Sequence, residues 1–175
     1  MAFFRNSVVA VVIALALCSC GVRRQSIRDA ATIQDGSGVM VARIVLIQQN
    51  ASAGNPPVEL SAIKQSSLTV AALVWEAQPG ETFAVMTLPA GKYTWRGLYV
   101  GRKFSEFRNL LPFEVEPGQV NYVGDIVIAI DWSNPSRYGM RVIANQAASE
   151  SYMRTAYPRL IAHHPLVASL TVDER

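Results

Sequence analysis

From residue 39 to residue 144 the chain is a succession of short Val- and Ile-rich runs broken by Pro and Gly pairs, and this punctuation constrains the fold more than any other feature. Helices need longer uninterrupted periods of 3.6 residues, whereas strands of five to ten residues tolerate such breaks. The runs predict strands over Val39–Gln48, Val58–Lys64, Leu68–Glu76, Thr82–Leu88, Lys92–Val100, Pro112–Glu116, Gln119–Asp131 and Tyr138–Ala144. The continuous apolar middle of the third, Ala71 to Trp75, predicts a strand covered on both faces. Leu88-Pro89-Ala90-Gly91 reads as a hairpin turn, because Pro presets φ and Gly takes the left-handed position, and Pro117-Gly118 is a second turn. In the seventh run Val120, Tyr122, Ile126, Ile128 and Ile130 are expected on one face, and Asn121, Asp125 and Asp131 on the other. The expected architecture is mainly β: an antiparallel β-sandwich of about eight strands with a C-terminal helix packed on it. That helix is expected from an Asn145 cap to Tyr157, with Pro158 breaking it or starting a further turn through His164.

The N-terminus follows different rules. Arg5 precedes Val8–Leu17, ten apolar residues without interruption. A helix needs about 20 residues to span a bilayer, so this run fits the apolar core of a secretory signal peptide instead. It ends in Leu17-Cys18-Ser19-Cys20-Gly21, which resembles the bacterial lipobox: an aliphatic residue three before the cysteine, a small one just before it, then the cysteine. Ser19 supplies the small residue for Cys20, whereas Leu17 would place a bulky one before Cys18. Cys18 in the middle position departs from the usual Ala, Ser or Thr. Other readings of the segment are an ordinary secretory peptide cut nearby and an uncleaved anchor.

The resemblance implies a signal peptide over 1–19, palmitate and other acyl chains on Cys20, and a lipidated tether over 20–38. In such lipoproteins an Asp after the cysteine favours the inner membrane. Gly21 stands there, so the outer membrane facing the periplasm is expected. Several buried acyl chains, at about 0.8 kcal/mol per methylene, hold a protein permanently. The tether is polar, carries Arg23, Arg24 and Arg28, and allows a short helix over Ser26–Gln34. If flexible, its reach is roughly 23 Å.

The turn segments Gln78-Pro79-Gly80-Glu81, Leu88 to Tyr93 and Glu116 to Asp125 resemble those of the compact prealbumin-like and carboxypeptidase-regulatory-like sandwiches found in many bacterial lipoproteins. That resemblance implies a fold over 39–144 and no activity, and the residues after it, 145–175, read as a helical tail.

Chemistry is sparse. Without Arg5 the net charge falls from +3 to +2, and no block of like charges suggests nucleic acid. No cysteine follows Cys20, and the two histidines, His163 and His164, are adjacent, so no metal site and no cofactor are implied. No nucleophile elbow occurs. Asp125 and Asp131, six residues apart on one strand, would lie about 20 Å from each other, too far for a glycosidase pair. Glu114 and Glu116 read as a solvated edge. Tyr93, Trp95 and Tyr99 share a strand face and suit a core, while Trp132 is a candidate for exposure. The segment Gly101–Leu111 is expected as a loop, in which Arg102, Lys103 and Arg108 alternate with Phe104 and Phe107. It is the candidate interaction loop for an envelope protein or glycan partner. The reading that follows is a non-enzymatic, membrane-anchored envelope lipoprotein. The alternative is a surface-anchored carbohydrate-binding module or hydrolase using Trp132 and the carboxylates.

Overall fold

The computed structural model describes Ile27, Asp29, residues 32–65 and residues 73–172. Cys18, Cys20 and the apolar run before them lie outside these residues, as do Leu68 to Ala72 of the expected third strand. The described chain is mainly β, with two sheets and a C-terminal helix. Its strands are β1 (Ser37–Gln49), β2 (Val58–Lys64), β3 (Leu73–Ala77), β4 (Gly80–Pro89), β5 (Gly91–Val100), β6 (Lys103–Val115), β7 (Val120–Asp131), β8 (Tyr138–Ile143) and β9 (Leu166–Ala168). Two helices, α1 (Gln146–Ala156) and α2 (Pro158–His163), precede β9.

One sheet has the order β4-β1-β7-β8, with β9 also on β7; the other has the order β3-β2-β5-β6. The expectation of eight antiparallel strands is corrected on two points. A ninth strand lies in the tail, and the first sheet is mixed, because β7 runs parallel to both β1 and β9. The main core lies between the sheets: Ile44 and Ile128 from one meet Leu60, Trp95 and Phe113 from the other. A second cluster, Val39, Val41, Val85 and Val120 with Met153 and Leu160, joins the outer face of the first sheet to the helices. The strands covered on both faces are therefore the central β1 and β7, not the third run. β3 is an edge strand, and Leu73–Glu76 are only half-buried.

The Pro/Gly turns do something other than make hairpins. Pro89-Ala90-Gly91 joins β4 in one sheet to β5 in the other, so the hairpin reading is wrong. Pro has no N–H to continue a ladder. Here Ala90 N–H donates to Gly36 O and Lys64 Nζ to Ala90 O, so the turn is bonded to flanking residues of both sheets. Gly91, at φ 140°, completes the reversal. The Pro79-Gly80 and Pro117-Gly118 turns likewise carry the chain between sheets.

The single face expected for β7 is also corrected. The pairing with β1 shifts register between Val41 and Arg43, at a bulge that includes Gly124, φ 114°. Val120 therefore joins the helix-side cluster, while Val123, Ile126, Ile128 and Ile130 face the other sheet. The bulge brings Tyr122 and Asp125 together, with the phenol donating to the carboxylate at 2.8 Å.

In α1 the buried stripe is Ser149 and Met153, with Tyr152 stacked on Phe83 at 4.0 Å; Ala156 is exposed. Asn145 holds the N-cap position without a side-chain cap bond, and its amide donates instead to the Tyr122 hydroxyl. Cap-like bonds for α2 come from far away: Asp29 Oδ1 accepts the amides of Arg159 and Leu160, each at 3.0 Å. Ile27 and Ile33 pack on the second cluster, so the packed body reaches back to Ile27. Of the short helix allowed over Ser26–Gln34, Ile27, Asp29 and residues 32–34 have no helical backbone. The rest lies outside the described residues.

Candidate functional site

β6 and β8 are edge strands of different sheets, and each pairs along one side only. The seam between them is fastened at both ends and bridged once in between, where the Tyr138 hydroxyl donates to Glu106 O at 3.4 Å. At one end Lys103 Nζ donates to Ser136 Oγ at 2.9 Å. At the other the tail crosses between sheets: Ser169 Oγ donates to Glu114 O at 2.6 Å and Val172 N–H to Pro112 O at 3.1 Å. Between these fasteners the edges part around an open cleft of about 930 Å³.

Thr171 reaches the floor of this cleft and is only 7% exposed. Its hydroxyl accepts the Trp95 indole N–H from one sheet (3.1 Å) and donates to Val123 O of the other (2.8 Å). Leu111, Met140 and Val142 supply apolar surface, and Arg108, Arg137 and Arg141 stand along the cleft with exposed side chains. Arg43, Arg96 and Arg154 are ion-paired, with Glu81 and Asp125, Glu106, and Glu150 respectively. Arg108, Arg137 and Arg141 have no ion pair among the described residues. Tyr138 sits between the walls: burial raises the pKa of its phenol, and the Arg108 charge opposes this.

The expected loop is a strand. Only Gly101 and Arg102 turn between β5 and β6, and Lys103 to Arg108 belong to β6. The irregularity that made the segment read as a loop is nonetheless real. β5 Gly97 pairs with Glu106 and Trp95 with Leu111, so Phe107, Arg108, Asn109 and Leu110 together face a single residue, Arg96. This wide bulge pushes Arg108 and Asn109 into the cleft wall. The two phenylalanines do not form one exposed patch. Phe104 is half-buried against Tyr99 (4.8 Å) and under Arg96 (5.4 Å), while Phe107 meets Tyr138 edge-on at 6.2 Å. Of the five candidates, Phe107 and Arg108 line the cleft, Lys103 fastens one end, and Arg102 and Phe104 lie outside it.

Other candidates separate. Tyr93 and Trp95 are core, but a bulge in β5 at Arg96, where neighbouring Ser61 and Ala62 of β2 pair with Gly97 and Trp95, turns Leu98 inward in place of Tyr99, which is half-buried. Asp125 is buried and bonded to Arg43 and Tyr122. Asp131 ends β7, bonded to Asn50 and Ser133, and these bonds lower its pKa. Glu114 and Glu116 are exposed. Trp132 is half-buried against the main core, and His164 Nδ1 lies 2.8 Å from Gly118 O. Sequence reasoning missed Arg137 and Arg141. In β8 half-buried Tyr138, Met140 and Val142 alternate with exposed Gly139, Arg141 and Ile143, and only the seam gives Arg141 significance.

No family model matches the chain, and neither a curated protein nor a solved structure matches it.

Proposed function

We propose that the chain is a non-enzymatic lipoprotein, held by lipid on Cys20 at the periplasmic face of the outer membrane, whose two sheets form a sandwich that binds another envelope component. The observation that carries this reading is the pattern Leu17-Cys18-Ser19-Cys20 at the end of an apolar run too short to cross a bilayer. Among the described residues no helix is long and apolar enough to cross either. The packed body beginning at Ile27 supports close tethering. Seven residue steps from Cys20 reach about 25 Å at most, so the body would stay near the lipid surface. A binding role is supported by the seam cleft with its three arginines that have no ion pair among the described residues, and by the structural engagement of Asp125 and Asp131.

Fractionation of cells tests the anchoring. The wild type is expected in the outer-membrane fraction, resistant to high salt, and Cys20→Ala in the soluble periplasmic fraction. A wild type released by salt would refute lipid anchoring.

A further inference from the structure

We infer that the cleft between β6 and β8 is a binding site for an extended acidic peptide segment of a partner protein, taken up as an added strand. This deepens the binding role proposed above and rests on it. Three independent features converge. First, the cleft has two strand edges, and among the described residues β8 pairs with β7 alone. An unpaired edge is a template for a further strand, and main-chain bonds to it supply affinity without a particular sequence. Second, the β6 bulge at Phe107 to Leu110 sets Arg108 into the facing wall. Third, the charge on the cleft is of one sign in excess. Arg108 stands on one wall and Arg137 and Arg141 on the other, without an ion pair among the described residues, while Glu106 is engaged by Arg96. Carboxylates on an incoming strand would complete them.

The apolar floor fits the second face of such a strand. Side chains alternate along a strand, so a peptide with acidic residues at every other position would direct the intervening ones toward Leu111, Met140 and Val142. A lipid headgroup or glycan would satisfy the arginines and leave the edges unused. The fasteners at the two ends limit the length: β8 has 6 residues, so the ligand segment is about six residues long.

The test uses the full chain in detergent and fluorescence anisotropy with three short labelled probes. One alternates glutamate and valine, one alternates lysine and valine, and one alternates glutamate and proline. The first is expected to bind, with an affinity that falls as salt rises, and about tenfold or more tighter than either other probe. Arg108→Glu with Arg141→Glu should weaken it by about tenfold or more. Arg137→Gln, which removes one charge without reversing it, should give a smaller loss in the same direction if the double variant misfolds. Hydrogen exchange at β8 amides should slow only with the first probe. Equal binding of the glutamate–proline probe would overturn strand addition, and equal binding of the lysine–valine probe would overturn the role of the arginines. Displacement of the first probe by phosphatidylglycerol vesicles as readily as by unlabelled peptide would overturn the peptide assignment in favour of a lipid surface. Failure of all three probes while Cys20 still carries lipid would refute this site and leave the anchoring intact.

Discussion

Replacing Thr171 with valine removes one hydroxyl and keeps the shape, at the place where the tail ties the two sheets together. That hydroxyl accepts from Trp95 Nε1 at 3.1 Å and donates to Val123 O at 2.8 Å. Its loss strands the indole N–H in a buried position, at about 1–3 kcal/mol. Val123 O keeps the backbone amide of residue 171, so the second bond adds only about 0.5–1 kcal/mol. The added methyl returns up to about 0.8 kcal/mol. The net loss is about 2 kcal/mol, or a fall of about 4–8 °C in Tm for a chain of this size. Urea denaturation followed by Trp fluorescence measures it, with Thr171→Ser as the control that keeps both bonds. Thr171→Val within about 0.5 kcal/mol of wild type, or less destabilised than Thr171→Ser, would refute the clamp.

Asp29→Ala should cost about 1 kcal/mol, because Arg159 and Leu160 lose their shared acceptor, and hydrogen exchange should accelerate at those two amides. Gly97→Val should destabilise strongly, since a Cβ at Gly97 would lie 2.3 Å from Ser105 O and 2.8 Å from the Phe104 ring; a Tm unchanged from wild type would contradict the β5–β6 register. On acidification stability should fall, because the hydrogen bond from Arg43 lowers the Glu81 pKa: a depressed carboxylate contributes above its unfolded value near 4.5 and loses that contribution as pH drops through the folded one. On the alkaline side burial raises Tyr122 to about 12, so its contribution is lost as pH rises from about 10 through that value, and Tyr122→Phe should flatten this limb of the stability profile.

What the sequence disclosed was local, and what it withheld was long-range. Val58–Lys64 is bounded as β2 to the residue, because Pro56-Pro57 precede it and its apolar residues follow the pleat. The Pro/Gly turns were visible, but which strands they join was not. A hairpin and a crossing between sheets require similar local chemistry, and only the distant pairing of β4 with β1, from Ser37 with Pro89 to Leu46 with Gly80, distinguishes them. The bulges at Gly124, at Arg96 and at Phe107–Leu110 defeated period-two reasoning, since they change which residues face the core. β9 was hidden because three residues after Pro165 carry no period at all. The cleft was half legible: Phe107 and Arg108 drew attention as basic and aromatic neighbours, whereas Arg137 and Arg141 gain meaning only when β8 is placed opposite β6.

Metabolic labelling with palmitate tests the central claim, that this body is carried on a lipidated cysteine. Label should enter the wild type and Cys18→Ala and be lost in Cys20→Ala. Label lost in Cys18→Ala alone would move the acceptor to Cys18, and a wild type without label would contradict the lipoprotein reading altogether.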